Sequence, residues 1–246
     1  MNEKVSDKQF FLTPAHPCSY LEKRSANTLF LDPHDVHSPN TYENLTTLGF
    51  RRSGEHLYRP HCTGCSACIP ARIPVAAFSA NRRFRRVIKK NLDVHTRVEN
   101  RRDDFEIYNL YEKYIALRHQ DGDMYPTNIE QFRSFLFANW SETKLITSYL
   151  AGKLIAVAVT DFQSNALSAI YTFFDPELQT RSLGVHSILK QIDYCKSLKL
   201  QHLYLGYWIR DSAKMDYKID YAPLELFQQS SWKLYQKAET NLLSAR

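Results

Sequence analysis

Glycine is scarce, seven in 246 residues, and there is neither an internal repeat nor a low-complexity tract. Collagen-like, solenoid and long-linker architectures are thereby excluded. The opening Met1-Asn2-Glu3-Lys4-Val5-Ser6-Asp7 has no apolar core of signal-peptide length, and no later run approaches a membrane span. A cytoplasmic protein with no membrane partner is expected. In that compartment the five cysteines (18, 62, 65, 68 and 195) are expected reduced or metal-bound rather than disulfide-paired. No G-x-S-x-G stretch occurs, so nothing suggests a Ser-His-Asp triad. What remains is an ordered globular chain, 43% hydrophobic with 14 Phe and 15 Tyr, long enough for one large domain or two small ones.

The most informative stretch present is His61-Cys62-Thr63-Gly64-Cys65-Ser66-Ala67-Cys68. Two-residue gaps let a tight turn aim successive sulfurs at one point, as in zinc knuckles and iron–sulfur loops. A fourth ligand would have to come from elsewhere: Cys18, or one of His61, His56 and His16. Zinc, three corners of a [4Fe–4S] cluster, and packed reduced thiols all remain open, although the Cys-Pro that often completes the cluster motif is missing. A basic block follows. Between residues 81 and 102 nine Lys/Arg face two acids, Asp93 and Glu99, while the whole chain carries only +6, so the other residues sum to −1. Charge concentrated in this way suits phosphate contact by Arg82, Arg83, Arg85, Arg86 and Lys89, and equally suits a solvated helix face.

Apolar spacing divides the chain into an N-terminal cysteine-containing region, 1–78, and a larger unit, 79–246. Ile69, Ala71, Ile73 and Val75 alternate as a strand leaving the knuckle. Ser79 or Asn81 can cap a helix with Phe84, Val87 and Ile88 inward, and Leu92, Val94, Thr96 and Val98 alternate as a strand. A helix opening at Asp103 and another after Asn128 come next. Strands at 145–150, 154–162 and 166–174, a helix at 182–198 and a strand at 202–209 complete the order. That succession predicts an α+β protein with a GNAT-like acyltransferase fold and a central mixed sheet whose middle strands splay apart. The loop before the last helix, Gln179-Thr180-Arg181-Ser182-Leu183-Gly184, has Ser where such folds place the first phosphate-binding glycine, which argues against acetyl-CoA.

In family order, the chain carries Cys18-Ser19-Tyr20-Leu21, Tyr58-Arg59-Pro60-His61-Cys62, Phe84-Arg85-Arg86 and Arg118-His119-Gln120-Asp121-Gly122-Asp123-Met124. These are followed by Ile170-Tyr171-Thr172-Phe173-Phe174-Asp175-Pro176, Tyr204-Leu205-Gly206-Tyr207-Trp208-Ile209 and Lys214-Met215-Asp216-Tyr217-Lys218. This set resembles the bacterial aspartate/glutamate leucyltransferases, relatives of eukaryotic arginyl-tRNA–protein transferase. The resemblance implies transfer of leucine from leucyl-tRNA, the co-substrate, to proteins or peptides with N-terminal Asp or Glu, marking them for degradation.

An amine attacking an aminoacyl ester needs a neutral amine, placement and oxyanion donors, but no covalent intermediate and no required cofactor. Tyr204, Gly206 and Tyr207 are the catalytic candidates, with strict strand alternation putting Tyr207 opposite the other two. Lys214 and Lys218, four apart, would share a helical face and supply cations for an acidic first residue. Tyr217, Tyr171, Asp175, Arg118 and His119 complete the expected substrate-binding set. For single members, surface lysines, core aromatics, a turn-forming Asp-Pro and ordinary helix capping are competing readings. Cys195 is expected to be a buried small apolar group. Arginyl transfer by the same mechanism, an acyl-CoA-dependent N-acyltransferase and a non-catalytic RNA-binding module remain alternatives.

Overall fold

Ser38 and Pro39, Asn81, Asp104 and Asn128 each stand where a helix begins, and each of the four capping side chains accepts a backbone N–H of the first turn. The helices they open are α1 (Pro39–Thr47), α2 (Arg82–Lys90), α3 (Phe105–Arg118) and α4 (Ile129–Leu136). The computed structural model describes residues 8–35, 38–100, 104–122 and 124–235. The helix expected to open at Asp103, outside those residues, is capped by Asp104, whose Oδ1 accepts from the Glu106 N–H at 2.8 Å.

Before α1 lie β1 (Phe10–Leu12), β2 (His16–Pro17), β3 (Ser25–Ala26) and β4 (Thr28–Leu31); β5 (Arg51–Ser53) and β6 (His56–Pro60) follow it. A small antiparallel sheet, ordered β1-β4-β6-β5, packs with α1 over a core of Leu31, Tyr42, Leu45, Phe50 and Leu57. The large sheet is ordered β14-β13-β7-β12-β11-β10-β9-β8. Its members are β7 (Ile69–Pro74), β8 (Val94–Glu99), β9 (Thr143–Leu150), β10 (Lys153–Phe162), β11 (Ala166–Phe174), β12 (His202–Trp208), β13 (Glu225–Gln228) and β14 (Ser231–Leu234), with α5 (Leu183–Ser197) between β11 and β12. The β9–β10 hairpin turns on Ala151 and Gly152, both at positive φ, the backbone that tight two-residue hairpins need.

All pairs in the large sheet are antiparallel except β11 with β12. The sheet is mixed, as expected. β10 is buried along nearly its whole length, which explains its unbroken Leu-Ile-Ala-Val-Ala-Val run. On one side α2 and α5 pack through Phe84, Val87, Ile188, Leu189 and Ile192; on the other α3 and α4 pack through Ile107, Tyr111, Phe132 and Leu136. Strand β7, counted from spacing with the N-terminal region, pairs with both β12 and β13 and so sits inside the large sheet. A buried Arg52–Asp161 ion pair joins the two regions again. Among the described residues no helix is long and apolar enough to cross a membrane.

Candidate active site where two strands part

Strands β11 and β12 pair for only three residues, Ala166–Ser168 with His202–Tyr204. Beyond that register β11 stays with β10 as far as Phe174, and β12 stays with β7 as far as Trp208. The sheet therefore opens in its middle. The N-terminal region reaches into the opening: Arg51, at the start of β5 and 7% exposed, donates to Ser168 Oγ at 3.0 Å and to the Ala169 carbonyl.

Facing Arg51 across the gap is Gly206, with φ +83°. A Cβ there would lie 3.4 Å from Arg51 Nε, in ordinary contact, so it is the left-handed backbone that calls for glycine. The register of β12 on β7 slips between Tyr204 and Gly206. This bulge corrects the expectation of strict alternation, because one unpaired residue resets which face the following side chains take. Tyr204 and Tyr207 consequently both turn toward the N-terminal region, while Trp208 turns into the α5 core. Tyr207 Oη lies 3.1 Å from the Gly49 carbonyl and 3.3 Å from that of Tyr58, sharing one proton between them. Burial, then Tyr58, holds its pKa well above the ordinary phenol value, so it can donate but does not serve as a base. Tyr204 is tied elsewhere: Arg72 donates to its hydroxyl at 3.2 Å, and Trp232 packs edge-on with centroids 5.6 Å apart.

The expected shared face of Lys214 and Lys218 does not form. Ser212 O accepts both the Met215 and Asp216 N–H groups, and a short 3-10 turn, Asp216–Asp220, follows. Lys214 is left exposed at the rim, 4.0 Å from the exposed Asp121 carboxylate, whereas Lys218 is only 3% exposed. Among the described residues the Lys218 ammonium has Met215 Sδ as its one hydrogen-bond partner, at 3.3 Å, and lies 4.8 Å from the centroid of the Tyr217 ring. Burial and then the neighbouring Arg51 push its pKa down to about 7.

A lysine lowered on folding binds its proton in the unfolded chain alone between pH 7 and the unfolded value near 10.4. Stability from this group therefore rises with pH through that window and carries the full cost of the buried charge below it. Lys218→Met is expected to raise the melting temperature at pH 6–7, with the gain over the parent shrinking toward pH 10. Paired thermal melts across that range check this; a constant difference contradicts it.

On the β11 side, Tyr171 packs edge-on against Phe135 at 5.3 Å and against Tyr114 at 6.4 Å. His119 Nε2 lies 3.3 Å from Tyr114 Oη. Partial burial, followed by Lys214 and Arg118, lowers the His119 pKa, which favours a neutral imidazole near pH 7. Tyr217, 42% exposed, lies within electrostatic reach of both Tyr114 and Arg51. Arg118 is exposed at the end of α3. Asp175 is engaged away from this group: it accepts from Lys113 at 2.7 Å, Lys153 at 3.3 Å and the Glu177 N–H at 3.1 Å.

Two further features border the opening. Cys18, Cys62, Cys65 and Cys68 line one cavity with Leu21, Arg24 and Pro60. Burial and the other three thiols push Cys68 up to about 12, and Tyr20 lies within reach of Cys18, Cys68 and Arg51. Helix α2 exposes Arg82, Arg85, Arg86 and Lys89, and these form no ion pair among the described residues. Arg83 instead binds Asp220, and Phe84 stacks on Tyr221 with centroids 4.7 Å apart. The basic helix is thus fastened to the turn that carries Lys218.

The N-terminal and C-terminal models of arginine-tRNA-protein transferase match residues 16–86 and 106–228. An aspartate/glutamate leucyltransferase of Alcanivorax borkumensis is 53% identical over 237 residues, 96% of this chain and 97% of that one. The chain belongs to the arginine-tRNA-protein transferase family. A second family relative, the aspartate/glutamate leucyltransferase of Pseudomonas paraeruginosa, is 50% identical over 226 residues, 91% and 95% of the two chains. The solved structure of FemX shares 13% identity, with a TM-score of 0.45 over 71% of this chain and 61% of that one.

The expected residues that the fold gathers around the opening in this family member are Gly206, Tyr207, Tyr171, Tyr217, Lys218 and His119. Lys214 stands at the rim. Arg51 was not among the expected residues. In the sequence it is one of two adjacent arginines, and neither composition nor spacing separates it from Arg52, which faces Asp161 instead.

Proposed function

We propose that the protein transfers leucine from leucyl-tRNA to the α-amine of a protein or peptide beginning with Asp or Glu, marking that protein for degradation in the cytoplasm. It is an aminoacyltransferase. The observation that supports the site assignment is the opening between β11 and β12, which on a GNAT-like platform would admit the aminoacyl ester from one side and the amine from the other. Within this reading residues 1–78 supply Arg51 and the cysteine knuckle, residues 79–246 supply the transfer platform, and β7 is shared.

The amine's ordinary pKa of about 7.7–8.0 leaves a minority deprotonated near neutral pH. Neutral His119, hydrogen-bonded to Tyr114, can accept the proton released on attack. The backbone at Gly206 is proposed to face the ester carbonyl, with glycine letting it approach the strand, while the Tyr207 hydroxyl, its proton shared by the Gly49 and Tyr58 carbonyls, holds that stretch of β12 in place. Tyr171 and Tyr217 offer aromatic walls for the terminal adenosine or the leucyl side chain.

Arg82, Arg85, Arg86 and Lys89 are proposed to grip the tRNA backbone. Replacing Arg85 and Arg86 by Ala should reduce the slope of log K against log salt by about 0.7–0.9 for each phosphate the helix no longer neutralises. Filter binding or anisotropy at several salt concentrations measures it; an unchanged slope removes α2 from the RNA surface.

The cysteines fit a thiolate-ligated group. Backbone N–H groups of Leu21 and Asn27 point at Cys18 Sγ and Cys62 Sγ from 3.4 and 3.5 Å, and the four sulfurs share one cavity, where thiolates would repel one another unless a bound cationic group balanced them. Among the described residues no three His, Cys, Asp or Glu side chains converge closely enough for a single ion. A [4Fe–4S] cluster, whose corners reach outward, suits the shared cavity better than zinc, and would lock the knuckle to the segment carrying Tyr20. Anaerobically prepared protein is expected to contain iron and acid-labile sulfide; zinc alone, or no metal, contradicts this.

The function itself is tested with purified protein, tRNA charged with labelled leucine or arginine, and peptides beginning with Asp, Glu or Ala. Leucine should pass to the acidic peptides alone. Arginine transfer, or equal use of the Ala peptide, would refute the reading.

A further inference from the structure

Two basic side chains, Arg51 and Lys218, are buried at the opening, and among the described residues no acid pairs with either. Arg51 is 7% exposed and Lys218 is 3% exposed, and the Arg51 charge lies within electrostatic reach of the Lys218 ammonium. Isolated buried charges are costly and are normally found paired. Here they are not. Arg51 spends two donors on Ser168 Oγ and the Ala169 carbonyl, and its other N–H groups have no hydrogen-bond partner among the described residues. Lys218 has the weakly accepting Met215 sulfur and the face of the Tyr217 ring, 4.8 Å from its ammonium, and no oxygen acceptor among the described residues.

The acids closest in sequence to Lys218 are committed elsewhere: Asp216 accepts from Trp208 Nε1 at 2.9 Å, and Asp220 holds Arg83. Glu225 is taken by Arg72, and Asp161 by Arg52 and Tyr42. Hydroxyls dominate what is left around the pair, since Tyr20, Tyr42, Tyr58, Tyr207 and Tyr217 all fall within reach of the Arg51 charge. Burial pushes each of those phenols upward, so they stay neutral and cannot serve as counter-ions.

We propose that Arg51 and Lys218 form the specificity pocket for the acceptor, taking up the side-chain carboxylate of its first residue at the apex of the divergent strands. This rests on the functional reading above and names the residues that choose the acceptor. A guanidinium with free N–H groups can meet a carboxylate through two parallel hydrogen bonds, and the ammonium beside it adds charge without demanding direction. Gly206 at the pocket edge keeps the backbone clear of Arg51, so that a residue joined to a reactive amine can lie along β12 while its carboxylate reaches inward. An uncharged Asn or Gln would leave both cations buried and unpaired, and the pocket rejects it on that account. A tRNA phosphate is the other candidate anion. It fits less well, because the exposed arginines of α2 already offer phosphates a site in water, without the burial that this pair imposes.

The test compares peptides beginning with Asp and with the near-isosteric Asn, both in leucine transfer and in equilibrium binding to the full chain. The parent protein should prefer Asp by a wide margin. Arg51→Met should cut that preference roughly 100-fold, through KM more than kcat, with leucyl-tRNA affinity unchanged. Arg51→Lys should restore part of the preference. If Arg51→Met does not fold, Lys218→Met, a near-isosteric apolar replacement, carries the same prediction with a smaller loss. An Asp-to-Asn preference that survives both replacements overturns the proposal, and so does an equal loss for the two peptides. A loss of leucyl-tRNA affinity matching the loss of transfer would overturn it too, by assigning the pair to the RNA. Should the parent transfer no leucine at all, the function falls, but selective binding of the Asp peptide and its dependence on Arg51 still decide the pocket.

Discussion

Replacing Asp161 by Ala is expected to lower the unfolding free energy by about 3–5 kcal/mol. Asp161 and Arg52 are each 0% exposed at the side chain, and the carboxylate takes two guanidinium bonds, Nε to Oδ2 at 2.6 Å and a terminal nitrogen to Oδ1 at 2.8 Å. Tyr42 donates to Oδ2 at 2.8 Å and Thr143 to Oδ1 at 2.6 Å. Removing the carboxylate would leave the guanidinium, a phenol and a threonine hydroxyl desolvated together. Arg52 also donates to the carbonyls of Gly54 and Leu136, so the orphaned charge sits at the joint between the small sheet, α4 and β10. Replacing Arg52 and Asp161 together by Met and Leu should cost less than the single change, because no unpaired charge survives. Denaturant titrations of both variants check this. A single-variant loss below about 1 kcal/mol would mean that solvent reaches the joint.

Gly206→Val is expected to reduce leucine transfer by about 100-fold or more, the effect expected when reacting groups are displaced by about 1 Å. Two contributions can be separated, because Gly152 has the same φ of +83° and nothing within 4 Å of a Cβ placed on it. Gly152→Val therefore reports the backbone cost alone, about 1–3 kcal/mol of stability, with transfer unaffected. At Gly206 the added carbons press on an Arg51 guanidinium anchored by Ser168 and Ala169, which has little room to retreat. Transfer rates normalised to folded protein distinguish the two. Equal activity for both variants would show that the face of Gly206 is not used.

The fold was legible where periodicity is clean. Alternation marked β7 and β8, apolar runs between turn residues marked β11 and β12, and of the two caps weighed for α2 it is Asn81 that serves, as Asn128 does for α4. The gathering of Tyr171, Tyr207, Tyr217 and Lys218 could be expected from their place near strand ends and in the segment after β12. The bulge at Gly206 was not legible, because one unpaired residue leaves no trace in hydrophobic pattern yet reverses which tyrosines share a face. Nor was the burial of Lys218: a four-residue spacing reads as a helical face, whereas the bonds from Ser212 O make a tighter turn that separates the two lysines. Arg51 is the clearest case. A buried arginine and a surface arginine look alike in sequence, and only the contact between residues more than a hundred positions apart distinguishes them.

The central claim is that a charged RNA end and a peptide amine meet in the gap between β11 and β12. A short RNA acceptor stem ending in a non-hydrolysable leucylamide and carrying a photoreactive group on the terminal adenosine tests it most directly. Irradiation with an Asp-starting peptide present should label the far half of β11 near Tyr171, the stretch from Gly206 to Trp208, or the turn carrying Tyr217. Labelling confined to the opposite edge of the sheet, around β8 and β9, would contradict it.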